Sequence, residues 1–108
     1  MSLKTSVSSK AVEDAITIAD HLAEQSSLDM SDRFLSATTK AYRQLASMPG
    51  IGSLRDYGPE FSTLRMWPVP RFVKYLIFYQ ATETELIVIR VMHGSQNIER
   101  IFSSLNEE

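Results

Sequence analysis

Apolar and polar positions fall into two rhythms along this chain, and the changes between them lay out its elements. Leu3, Thr5 and Val7 alternate with Lys4, Ser6 and Ser8, the period-two pattern of a short half-buried strand. From Val12 the apolar positions become Val12, Ala15, Ile16, Ala19, Leu22 and Ala23, a helical stripe that predicts a helix from about residue 10 to about residue 25. Ser8 and Ser9 are its cap candidates, and Glu13 and Asp14 stand toward the positive end of its dipole. After the polar break at Gln25, Ser26 and Ser27, either Asp29 or Ser31 can cap a second helix. Its stripe is Phe34, Ala37, Ala41, Leu45 and Met48, and Pro49 with Gly50 ends it. So short a link predicts an antiparallel helical hairpin.

Residues 49–60 hold three of the four glycines and two of the four prolines, so they read as the main loop. Thr63, Arg65 and Trp67 then alternate with Leu64 and Met66, and the Pro68, Val69, Pro70 bend closes this strand. The run FVKYLIFY (Phe72 to Tyr79) is apolar on nearly both faces and predicts a central strand. After a turn over Ala81 to Glu85, LIVIRVM (Leu86 to Met92) predicts its hairpin partner. Ile98, Ile101, Phe102 and Leu105 predict a short closing helix before a frayed acidic tail. The order β-α-α-β-β-β predicts an α+β fold: a helical hairpin packed on one face of an antiparallel sheet, with a short C-terminal helix.

Composition narrows the classes. With 108 residues, 44% apolar and 22% charged, the chain reads as one domain, residues 1–108. It has no cysteine, so no disulfide or thiolate metal site supports it. A net charge of −2 argues against a surface built to hold nucleic acid. The start, MSLKTSVSSK, lacks the apolar core of a signal peptide, and no run approaches the ~18 apolar residues of a membrane span. A cytoplasmic protein without a membrane partner is expected.

The sheet's second face supplies the candidate site. Strand parity turns Ile87, Ile89 and Val91 toward the helices and Leu86, Val88, Arg90 and Met92 away from them. In register, Tyr75 and Tyr79 go inward with their hydroxyls exposed, while Lys74, Leu76 and Phe78 go out. Leu64 and Met66 go inward, Arg65 and Trp67 out. Arg65, Trp67, Lys74, Leu76, Phe78, Arg90 and Met92 would then form an open face too apolar to be merely solvated. A covering polypeptide is expected there; a homodimer of the free chain is a separate expectation.

These residues also carry a resemblance. LRMWPVPRFVKYLIFYQATETELIVIRVMHG resembles the carboxy-terminal half of the RelE/ParE toxins of type II toxin-antitoxin modules. The pair Leu64 and Arg65, the YLIFY strand (Tyr75 to Tyr79) and the ending Arg90, Val91, Met92, His93, Gly94 are similar to the ParE, or plasmid-stabilisation, branch. LASMPGIG (Leu45 to Gly52) resembles the same branch. One departure is that Ser95, Gln96 and Asn97 follow His93 and Gly94 where that branch often places a small residue, an arginine and an acidic residue. The resemblance implies a toxin neutralised by a cognate antitoxin whose disordered tail folds across it, with DNA gyrase the target on the ParE side and ribosome-bound messenger RNA on the RelE side.

Metal-independent RNA cleavage needs proton donors and acceptors and positive charge at the phosphate. Arg65, Arg90 and His93 are the candidates for a ribonuclease. His93 better suits a cap on the sheet end, bonded to a backbone carbonyl, since a lone histidine has no identified partner, and the arginines equally suit ion pairs or stem packing. Two histidines and no cysteine make no metal site, and no cofactor motif is present. Residues 55–100 carry six cations against five carboxylates, too little for a protein that docks among ribosomal phosphates. The reading is therefore a toxin that binds protein, gyrase by implication. The alternatives are an mRNA endoribonuclease and a non-toxic interaction module on the same fold.

Overall fold

In a computed structural model, residues 2–106 are described and form five strands and three α-helices. In chain order these are β1 (Lys4–Val7), α1 (Ser9–Gln25), α2 (Leu28–Ser47), β2 (Ser53–Arg55), β3 (Leu64–Val69), β4 (Phe72–Ala81), β5 (Glu85–His93) and α3 (Ile98–Asn106). Tight turns at Pro49–Ile51 and Pro59–Phe61 flank β2. β2 lies inside the segment read as loop; it is three residues long, exposed throughout and without apolar alternation. The acidic tail, Glu107 and Glu108, lies outside the described residues.

Serines start both hairpin helices. The Ala11 N–H donates to Ser8 Oγ at 3.0 Å, and the Met30 N–H donates to Ser27 Oγ at 3.0 Å. The second cap is thus Ser27, ahead of Asp29 and Ser31, and Asp29 takes the first turn instead. α1 has no acidic residue in its first turn. Asp14 serves a different purpose, described below. Ser8 also ties the strand to the helix: its N–H donates to the Val88 carbonyl at 2.9 Å and its hydroxyl to the Ile89 carbonyl at 2.7 Å.

The sheet order is β1-β5-β4-β3-β2. β1 runs parallel to β5, Lys4 beside Glu85 and Val7 beside Val88, whereas the other neighbours are antiparallel. The sheet is therefore mixed rather than wholly antiparallel; period-two patterning marks a strand but carries no direction.

Two register shifts decide which side each residue faces. Along β4 and β5, Tyr79 pairs with Val88 but Phe78 pairs with Arg90, which leaves Ile89 as an extra residue in a bulge. Leu86 and Val88 consequently join Val91 in the core beneath the helical hairpin, and alternation turns Ile87 and Ile89 to the other side, the reverse of the expected assignment. Val91, Met92, Leu76 and Phe78 lie on the sides expected. The second shift, at Pro68 and Val69, accompanies a similar reversal in β3: Trp67 and Val69 pack under the hairpin, Leu64 and Met66 on the far side. The β3–β4 turn is closed by Pro70 and Arg71, and Arg71 adopts φ 71°, a left-handed conformation that costs a non-glycine residue about 1–2 kcal/mol.

Both faces of the sheet are covered. Ala11, Ala19, Ala41 and Ala46 let α1 and α2 approach closely, and Phe34 stands edge-on to Phe72 and Tyr75, each 5.4 Å away between ring centres. On the far side α3 places Phe102 over Leu64, Phe78 and Met92. Tyr57 stacks on the Phe102 ring at 5.3 Å and Phe61 meets its edge at 5.0 Å. The chain's own closing helix thus occupies the face expected to lie open.

Candidate partner-binding site

The seven residues expected on that face do not form one surface. Phe78 and Met92 are sealed under α3, and Leu76 packs beside them. Trp67 lies on the opposite side of the sheet, and its indole N–H is buried with no hydrogen-bond partner among the described residues. Arg90 is buried, held by Asp14 of α1: its Nε donates to Oδ2 at 2.7 Å and its Nη2 to Oδ1 at 3.0 Å. The Val91 N–H donates to the same carboxylate at 3.0 Å, so Asp14 clamps α1 onto the bulged strand. Arg65 donates to the carbonyls of Gly52, at 2.7 Å, and Gly50, at 3.3 Å. Of the set, only Lys74 is exposed.

The loop that Arg65 holds is latched a second time. Tyr79, buried down to its hydroxyl rather than exposed there, donates to the Pro49 carbonyl at 2.7 Å and accepts from the Gly52 N–H at 2.9 Å. Burial raises the Tyr79 phenol above its ordinary pKa, against the Gly52 N–H and the Arg65 charge, which lower it. A side chain at position 52 would run into the Tyr79 phenol, which is why glycine stands there.

Nor do Arg65, Arg90 and His93 converge. Arg65 pairs with Tyr79, and His93 pairs with Tyr75, four residues along the same strand and so about 13 Å away. Both arginines are spent on carbonyl or carboxylate oxygens. His93 Nδ1 accepts from the Ser95 N–H at 3.0 Å, and its ring edge meets Tyr75 at 5.1 Å. It does cap the sheet end, but by accepting from a backbone N–H, where a carbonyl partner was expected. The departure at residues 95–97 has a structural use. Gln96 Oε1 accepts from the His93 N–H at 2.8 Å, and Asn97 Oδ1 accepts from the Arg100 N–H at 3.2 Å, so these residues turn the chain and start α3.

An unexpected surface lies on the outside of the helical hairpin. Val12 and Ile16, one turn apart on α1, are 45% and 54% exposed, and Leu35 of α2 is 39% exposed. They border an apolar groove of about 250 Å³ floored by Ala11, Ala15 and Tyr42 and reaching Val7. Thr38 and Thr39 return their hydroxyls to the Phe34 and Leu35 carbonyls at 2.8 and 3.0 Å, which removes donors from the groove wall. Tyr42 is pushed up to about 12 by burial, with the Asp14 charge adding to the effect. The signal was present in the α1 stripe. Of that stripe Ala19 is buried while Val12 and Ile16 are exposed, so the apolar stripe is wider than the buried face needs.

Residues 6–98 match the family described as ParE toxin of type II toxin-antitoxin system, parDE. The chain belongs to the ParE toxin family. No curated protein is similar to it in sequence. Among solved structures, a chain from the "Chromosomal ParDE TA system from P. aeruginosa" superposes with a TM-score of 0.70 at 15% identity, over 84% of this chain and 95% of that one. At that identity the likeness is one of fold. The match to the ParE toxin family ends at the first residue of α3.

Proposed function

We propose that this ParE-family toxin acts by binding a protein target, DNA gyrase by family implication, and that its antitoxin neutralises it by laying the apolar side of a helix along the groove between α1 and α2. The observation that carries the docking is the exposed row of Val12, Ile16 and Leu35 on a molecule whose two sheet faces are already covered. An amphipathic segment that orders on binding presents anchors at helical spacing, which matches a groove walled by residues one turn apart. The separation of Arg65, Arg90 and His93, each with bonds of its own, supports binding over cleavage.

Expression in a bacterial host should stop growth, and the purified chain should block supercoiling by gyrase while leaving ribosome-bound messages intact. Message cleavage with unimpaired supercoiling would overturn the target. Val12→Asp with Ile16→Asp changes exposed positions, so the fold should hold. The variant should still stop growth, but co-expression of the antitoxin should no longer rescue the host. Undiminished rescue would remove the groove from the interface.

A further inference from the structure

A second groove runs along the other flank of α2. It has a volume of about 360 Å³ and lies between that helix and the β3–β4 turn, with Arg33, Lys40 and Arg71 around it, Ser36 and Gln44 on its wall and Phe72 at one side. Among the described residues no carboxylate lines it, although the chain as a whole carries a net charge of −2. Arg33 is shared with Asp29 one turn back, an exposed pair at 2.9 Å that an incoming anion can replace at small cost.

The Arg71 backbone gives this cluster its meaning. At φ 71° a glycine or asparagine would sit without strain, yet an arginine stands there, at the tip of the turn and against the groove. Strain held at a surface position points to a use for the side chain. The spacing then selects the ligand. Arg33 and Lys40 are two helical turns apart, so their positions on α2 are separated by about 10 Å, more than one phosphate spans and about three residues of extended peptide. Nucleic acid spreads its charge over a wider surface, where it would meet the exposed Glu13, Asp20 and Glu24 of α1 and Asp32 of α2, whereas a short peptide reaches only the groove.

We propose that this groove binds an acidic, extended segment of the antitoxin, its carboxylates reaching Arg33, Lys40 and Arg71. α2 walls both grooves, with Leu35, Thr39 and Tyr42 on one flank and Arg33, Lys40 and Gln44 on the other. A single tail can therefore cross the helix and occupy both. That the segment's owner is the antitoxin rests on the toxin reading above; the chemistry of the groove does not.

The test uses the purified full chain, a fluorescein-labelled oligo-glutamate peptide and fluorescence anisotropy at low salt, with an oligothymidylate of equal charge as competitor. Arg71→Gly and Lys40→Glu should each weaken peptide binding about fivefold to tenfold. Lys10→Glu, on α1, should leave it unchanged. Arg71→Gly should also melt no lower than the parent, since glycine adopts this φ without strain, so its weaker binding cannot be a folding defect. Peptide that fails to bind, or binds all variants alike, would overturn the proposal, as would an oligothymidylate that binds more tightly through the same residues. The measurement needs neither growth arrest nor gyrase, so failure of the toxin reading and failure of the groove would register separately.

Discussion

The two faces of this sheet are covered by different means. Under the helical hairpin, two long helices place small alanines and one large ring, Phe34, against six buried strand residues, and a bidentate ion pair pins α1 to β5. Under α3, a single nine-residue helix covers three buried strand residues through Phe102, supported by Tyr57 and Phe61 from the loop before β3. The first cover is distributed over many small contacts and a charge clamp. The second depends on one aromatic side chain. The hairpin face should therefore fail as a whole and the α3 face locally.

The largest effect should follow from Asp14→Ala, which leaves the Arg90 guanidinium and the Val91 N–H buried without their acceptor. A loss of about 3–5 kcal/mol is expected in denaturant unfolding, with the whole sheet affected. Phe102 is fully buried, but α3 can relax into the space it leaves, so Phe102→Ala should cost about 2–4 kcal/mol. Amide exchange should rise in α3 while β4 keeps its protection. Equal loss of protection on both sides of the sheet would show that the two covers are one cooperative unit.

Alkaline titration should weaken the hairpin face. The Tyr42 phenol is raised from 10.0 to about 12, so the unfolded chain ionises first. The stabilisation is complete below pH 10 and disappears as pH climbs toward 12, and Tyr42→Phe should flatten that slope in stability-against-pH curves. The smallest effect is expected from Trp67→Phe. It removes a buried N–H that has no partner among the described residues, at the expense of some packing, so stability should move by less than about 1 kcal/mol in either direction.

Residue patterning made most of the elements legible, because α1, α2, β4 and β5 each repeat a period long enough to be recognised. It could not show the sign of each face. Ile87, Ile89 and Val91 look alike in sequence, and only the extra residue at Ile89 sends Val88 and Val91 to the same side. A bulge leaves no mark in an all-apolar strand. The site residues were misplaced for the same reason: Arg65 follows Tyr79 and Trp67 follows Ile77 to the hairpin side once their pairing is known. Asp14 and Arg90 are 76 positions apart, and nothing local announces that they meet. α3 was foreseen as a helix, yet its placement over Phe78 depends on a turn built by Gln96 and Asn97, side chains that seemed merely polar.

The pairing of Lys4 with Glu85 bears on how the molecule is made. β1 precedes β5, its neighbour among the described strands, with both hairpin helices and β2, β3 and β4 between them in the chain, so that margin of the sheet stays unpaired until β5 has been synthesised. Such distant closure slows folding, and here it delays completion of the sheet until β5 has emerged. Until β1 docks against β5, the sheet therefore offers an open edge to which a partner's strand can pair.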